Sequence, residues 1–268
     1  MNLVIGFDDT TYGRDALELG LQLANRRGEP ATVVTVYPDE EAAGGPSEDR
    51  EIAEQKLDVA QAIVGDRADF CYEAVGPAYA SLGLHEFAEQ SAAHLLVVGA
   101  SEHAAVGAIT SNSTVERLLN GAPCPVAVAP RGYHRRAAAI RDIAVAYDGS
   151  PESQQALGVA VQVARSSDAS VRLVAVAQEP EEETQAMLDT ASRALPANVK
   201  VSTDVVIGLD VADTLANLPG QTPDLLVCGS RGIGPRRRVL LGSASIRLIR
   251  SAGYPVIVVP HNLREEES

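Results

Sequence analysis

Residues 3–10 (Leu-Val-Ile-Gly-Phe-Asp-Asp-Thr) and 143–150 (Ile-Ala-Val-Ala-Tyr-Asp-Gly-Ser) are one pattern written twice, an apolar run that ends in Asp. From there the register holds without a gap for nearly thirty residues, putting Ala16-Leu17 on Ala156-Leu157, Ala24 on Ala164, and 32–36 on 172–176. Further along, 95–99 falls on 225–229, and 125–130 on 255–260. Each copy is about 130 to 140 residues, the size of a domain rather than of a solenoid repeat. Any fold assigned to one half must therefore also be reachable by the other.

Within a copy, short apolar runs alternate with amphipathic helical patterns. In the second copy the expected strands are 143–148, 171–177, 201–207, 224–229 and 255–260, with helices between them. One helix is opened by Ser150-Pro151, an N-cap followed by proline at the first helical position. Strand and helix alternating through five strands imply an α/β fold whose parallel sheet is covered on both faces. The expectation is two doubly wound parallel five-stranded sheets, order 3-2-1-4-5, in domains 1–131 and 141–261. Residues 131–141, with Gly132 and several charged or His positions, read as the linker.

Such sheets bind ligands at the carboxyl ends of strands where the winding reverses, here between strands 1 and 4. That order sets Asp148, ending strand 1, beside Gly229, ending strand 4. Gly229-Ser230-Arg231-Gly232 is followed by nine residues and then Gly242-Ser243-Ala244-Ser245. The helical spacing of Ile246, Leu248 and Ile249 makes this a strand-to-helix loop. Gly229 and Gly232 let main-chain N–H groups approach a ligand, and Ser243 and Ser245 bring hydroxyls to the helix start. A helix N-terminus favours anions, and Arg231, Arg236, Arg237 and Arg238 add guanidinium groups around the same loop. Turn glycines, an N-cap serine and solvated arginines are the plainer alternative; the full spacing favours a phosphate cradle.

The chain carries a net charge of −14, which argues against electrostatic binding of nucleic acid or of an anionic membrane. Cys71, Cys124 and Cys228 are an odd number in apolar or strand-like surroundings, which fits small buried side chains in a reducing cytosol. The start of the chain already reads as a strand and no apolar run approaches membrane-spanning length, so a soluble cytoplasmic protein is expected.

Catalytic motifs fail on inspection. Pro235-Arg236 stands where a P-loop needs Lys-Ser/Thr, the glycines do not form a dinucleotide fingerprint, and 99–103 lacks the closing glycine of a hydrolase elbow. His85-Glu86 has no second His at metal-ligand spacing, so no metal site and no catalytic residue are assigned. The segments 40–51 and 179–183 read as acidic loops after strand 2, able to cover the site, and the tail 264–268 as a solvated terminus.

The strand-end Asp148, the frame Gly229-x2-Gly232-x9-Gly242-Ser243 and the last strand Pro255-Val256-Ile257-Val258-Val259-Pro260 resemble the universal stress protein family, in tandem form and over nearly the whole chain. The resemblance implies an adenine nucleotide alpha hydrolase-like fold that binds ATP, with Mg2+. It implies Asp148 at the base and ribose, Val176 near the base, and Gly229, Arg231, Gly232, Gly242, Ser243, Ala244 and Ser245 around ribose and phosphates. It also implies pairing through last strands, here 126–129 with 256–259 as an intrachain pseudo-dimer, with a further homodimer and a regulatory protein partner left open. A nucleotide-responsive regulator in stress adaptation is the expected function. A slow ATPase or nucleotide-transferring enzyme and a scaffold without nucleotide are the alternatives.

The first copy departs from this frame. It reads Gly99-Ala100-Ser101-Glu102, nine residues, then Asn112-Ser113-Thr114-Val115. Glu102 replaces a glycine with an anion where phosphates are expected, and Val115 removes a hydroxyl. Asp8 and Ser113 persist. The expectation is one working ATP site per chain, in the C-terminal domain.

Overall fold

The computed structural model describes residues 2–24, 30–38, 46–76, 78–100, 114–179, 181–230 and 243–261. They form two compact units, residues 1–137 and 138–268. The first runs β1 (Leu3–Gly6), α1 (Thr11–Leu23), β2 (Ala31–Val36), α2 (Pro46–Val64), β3 (Phe70–Val75), α3 (Ala80–Gln90), β4 (Leu95–Gly99), α4 (Thr114–Leu119) and β5 (Val126–Ala129). The second repeats the order with β6 (Asp142–Ala146), α5 (Pro151–Ser167), β7 (Ser170–Ala177), α6 (Glu182–Arg193), β8 (Val201–Ile207), α7 (Val211–Ala216), β9 (Leu225–Gly229), α8 (Ser243–Ser251) and β10 (Val256–Val259).

Every pairing within a unit is parallel. The strand order is β3-β2-β1-β4-β5 in one unit and β8-β7-β6-β9-β10 in the other, the expected order. The middle strands are covered on both faces, so they are apolar throughout: Ile143, Ala144, Val145, Leu225, Leu226 and Val227 have no exposed surface. Right-handed crossovers put α5 and α6 on one face and α7 and α8, which pack on each other, on the opposite one.

Polar residues punctuate the helices where the backbone needs partners. Thr10 caps α1 by accepting from Gly13 N–H, and Ser150 caps α5 by accepting from Ser153 N–H, with Pro151 at the first position. Asp210 caps α7 through Asp213 N–H, and Arg247 pairs with the same carboxylate at 2.9 Å. These two contacts, the Asp213 amide first, hold its carboxyl below the usual range.

The structure corrects four local readings. The first strand of the second unit ends at Ala146 rather than at 148, because the Asp148 carboxylate folds back onto Ser150 and turns the chain. Residues 46–51 belong to α2, and Glu182 and Glu183 form the first turn of α6, where the helix dipole favours acidic side chains. In the expected linker, Tyr133–Arg135 is a 3-10 turn fastened to α1. Asp15, fully buried, accepts from Gly132 N–H at 2.8 Å and His134 N–H at 2.9 Å, with His134 Nδ1 at 2.5 Å. Cys124 and Cys228 are buried, and burial pushes both thiols up to about 12, but Cys71 is exposed on the edge strand β3.

Gly99, at the end of β4, has no room for a side chain: a Cβ there would overlap the Tyr12 carbonyl at the start of α1. Backbone on backbone cannot yield by a rotamer change. Gly99→Ala should therefore lower unfolding stability by about 2 kcal/mol, read by denaturant titration. A change below about 0.5 kcal/mol would show that α1 is free to move off the strand end.

Candidate functional site

The last rung between β6 and β7 is Tyr147 N–H to Val174 C=O, at 2.9 Å. In a parallel ladder alternate residues point their main-chain groups to alternate neighbours. Ala177 faces β8, since its carbonyl accepts from Gly208 N–H, so Val176 faces the β6 side. There β6 has already ended, and the N–H and C=O of Val176 border an open space.

That space is a cavity of about 550 Å3 across the carboxyl ends of the strands. Its floor includes Ala146 at the end of β6 with Tyr147 and Asp148 after it, 174–178 of β7 and its exit, and Gly229 at the end of β9. Beside it stand Glu181, Thr184 and Met187 of the α6 segment and Gly208, Leu209 and Val211 after β8. Leu209 is 88 % exposed, so an apolar side chain stands open at the mouth. Among the described residues that line it there is no Lys, Arg or His, and Asp148 and Glu181 are the carboxylates.

Asp148 is held in one pose. Its Oδ1 accepts from Ser150 N–H at 3.1 Å and from Ser150 Oγ at 2.5 Å, and Gly149 between them has φ of +77°, open to glycine at little strain. The Ser150 hydroxyl in turn receives Ser153 N–H at 3.2 Å, so turn and helix start are one hydrogen-bonded piece. Among the described residues the other carboxylate oxygen has no hydrogen-bond partner. Burial, with Asp148 second, raises the phenol of the adjacent Tyr147 above its ordinary value, so it stays protonated.

Of the residues expected from the sequence, Asp148, Val176 and Gly229 line this cavity together. Ala244 and Ser245 are buried in the first turn of α8, where the Ser245 hydroxyl points to the Gly229 carbonyl at 3.4 Å. Arg231, Gly232 and Gly242 lie outside the described residues, as does the side chain of Ser243. The sequence reading missed the α6 wall and the β8 exit. The acidic run 179–183 was their signal, read as a loop.

The first unit repeats the turn: Asp8 Oδ1 accepts from Thr10 N–H at 3.1 Å and Thr10 Oγ1 at 2.6 Å, and Asp9 has φ of +57°. It differs one residue before the Val176 position. Thr35, buried, donates its hydroxyl to the Phe7 carbonyl at 2.8 Å; the second unit has Ala175 there, with no hydroxyl to place on the Tyr147 carbonyl. Among the described residues no group of three or more His, Cys, Asp or Glu converges as metal ligands, and no helix is long and apolar enough to cross a membrane.

Two five-stranded doubly wound units, one with an open cavity at its strand ends, define a tandem α/β protein of the adenine nucleotide alpha hydrolase-like type. The profile of the universal stress protein family matches residues 1–130, 139–219 and 197–260, and the chain belongs to that family. Universal stress protein Rv2319c of Mycobacterium tuberculosis is 26% identical over 292 aligned positions, spanning 97% of this chain and 100% of that one. A universal stress protein of Archaeoglobus fulgidus shares the fold, with a TM-score of 0.73 at 21% identity over 98% of this chain and 97% of that one. A shorter universal stress protein, solved in complex with cAMP, covers 47% of this chain and is itself covered in full, at 26% identity and a TM-score of 0.40.

Proposed function

We propose that the C-terminal unit is an adenine-nucleotide sensor: it takes ATP, with Mg2+ carried on the phosphates, and its occupancy changes the conformation offered to a protein partner. The observation that carries this reading is the pairing, in one cavity, of the outward main-chain N–H and C=O of Val176 with the outer carboxylate oxygen of Asp148. Adenine presents an amino donor beside a ring-nitrogen acceptor, which one residue's C=O and N–H match. Ribose hydroxyls are donors for Asp148. The cavity lies within the roughly 300–1,000 Å3 of small-molecule sites.

The phosphates would then run past Gly229 toward Arg231, Gly232, Gly242 and Ser243, with Ala244 and Ser245 holding the helix start against the strand end. ATP acts as a signal only if it binds one conformation better than another, so the response is a difference in affinity. In the first unit, Glu102 works against the same ligand by placing a carboxylate where the phosphates are expected. Titration of the intact chain with ATP by calorimetry should give one site per chain. Two equivalent sites would overturn the assignment to one unit, and no heat with no retained nucleotide in the purified protein would overturn the reading itself.

A further inference from the structure

The cavity wall contains one readily oxidised atom, the thioether sulfur of Met187 on α6. Met187 lines the cavity, is half-buried, and shares its residue type only with Met1 in the whole chain. Its Sδ lies against the turn that aims Asp148: a Cβ built on Gly149 would stand 2.9 Å from Sδ and 3.6 Å from Cγ. Filling a gap in a closed core is the ordinary use of methionine. Here one neighbour is a turn glycine, and the residue also lines the cavity.

We propose that Met187 is a modification site, at which oxidation of the sulfur by a peroxide lowers the affinity of the C-terminal unit for adenine nucleotide and reduction of the sulfoxide restores it. This rests on the nucleotide reading of the same cavity. The sulfur lone pair attacks one peroxide oxygen, the O–O bond breaks and an S–O bond forms. The sulfur loses two electrons, and the other oxygen leaves, protonated, as water or an alcohol. The product has a polar oxygen on an atom already in contact with Gly149, so either the turn shifts or the oxygen enters the space beside the Asp148 carboxylate. Both outcomes remove something the nucleotide needs. Linkage requires the converse at equilibrium, so bound nucleotide disfavours the sulfoxide, and a nucleotide seated in the cavity also covers the sulfur and slows its oxidation.

Tryptic fragment 173–193 contains Met187 and no cysteine, so the gain of one oxygen there reports this sulfur alone. The full chain is treated with hydrogen peroxide and then with a thiol reductant, which reverses disulfides and sulfenic acids at Cys71 but not a methionine sulfoxide. Its ATP affinity is compared with that of the untreated chain. The expected result is an approximately tenfold weaker Kd in proportion to the sulfoxide found, recovery with methionine sulfoxide reductase, and slower oxidation when ATP is present. Met187→Leu, a change of nearly equal volume, serves as its own reference: whatever its ATP affinity before treatment, peroxide should leave that affinity unchanged. Unchanged affinity in fully oxidised protein, no oxidation at Met187, or equal peroxide sensitivity in Met187→Leu would each overturn the proposal. If the untreated chain binds no nucleotide, the underlying reading fails and takes this inference with it.

Discussion

Asp148→Asn should weaken ATP binding about 100-fold, or about 3 kcal/mol, while the thermal midpoint stays within about 2 °C of the parent. The substitution separates the two jobs of the side chain. The oxygen that accepts from Ser150 N–H and Ser150 Oγ is kept as an amide oxygen, so the turn and the cap of α5 persist. The outer oxygen becomes an NH2, which cannot accept from the ribose hydroxyls. Hydrogen bonds to a charged group contribute about 1.5–3 kcal/mol each, and two of them account for the predicted loss. Asp148→Ala removes both functions and should also lower stability. The matched control is Asp8→Asn, which makes the same change in the same turn of the first unit and should leave ATP affinity unaltered. Binding within about threefold of the parent after Asp148→Asn would remove the carboxylate from the site.

The layout of this fold was legible because each copy checks the other. A lone run such as 3–6 could be strand or buried helix, but its match to 143–146, with helical spacing following both, leaves the strand reading. The order 3-2-1-4-5 was an expectation that the strand pairings bear out, and with it comes the convergence of Asp148 and Gly229. Other features depend on main-chain direction, which residue types do not carry. Val176 was singled out by resemblance, whereas the direction of its N–H and C=O is set by Tyr147 on one side and Gly208 on the other. The pair Thr35 and Ala175 was visible in the aligned copies as a hydroxyl gained or lost. Its meaning needed the Phe7 carbonyl. Ser245, read as a hydroxyl brought to the helix start, is buried there with its hydroxyl on the Gly229 carbonyl. The α6 wall was hidden by composition: Glu181, Glu182 and Glu183 look like a solvated loop until the helix dipole gives them a place at a helix start.

Gly232→Glu carries the first copy's substitution, Glu102, into the second. It should cost ATP about 100-fold in affinity and leave adenosine within about threefold, because adenosine has no phosphate to repel. One added carboxylate about 6 Å from a phosphate charge, at an effective dielectric near 20, opposes it by about 3 kcal/mol before salt screening. Raising ionic strength should therefore recover part of the loss, which distinguishes repulsion from a collapsed loop. The two substitutions also dissect the site from opposite ends. Asp148→Asn should weaken ATP and adenosine alike, since both contain the ribose, whereas Gly232→Glu should act on ATP alone. If Gly232→Glu weakened both ligands equally, the glycine would be shaping the whole cavity rather than the phosphate end. If it weakened neither, phosphates would not pass this loop, and Glu102 would not explain any difference between the two units.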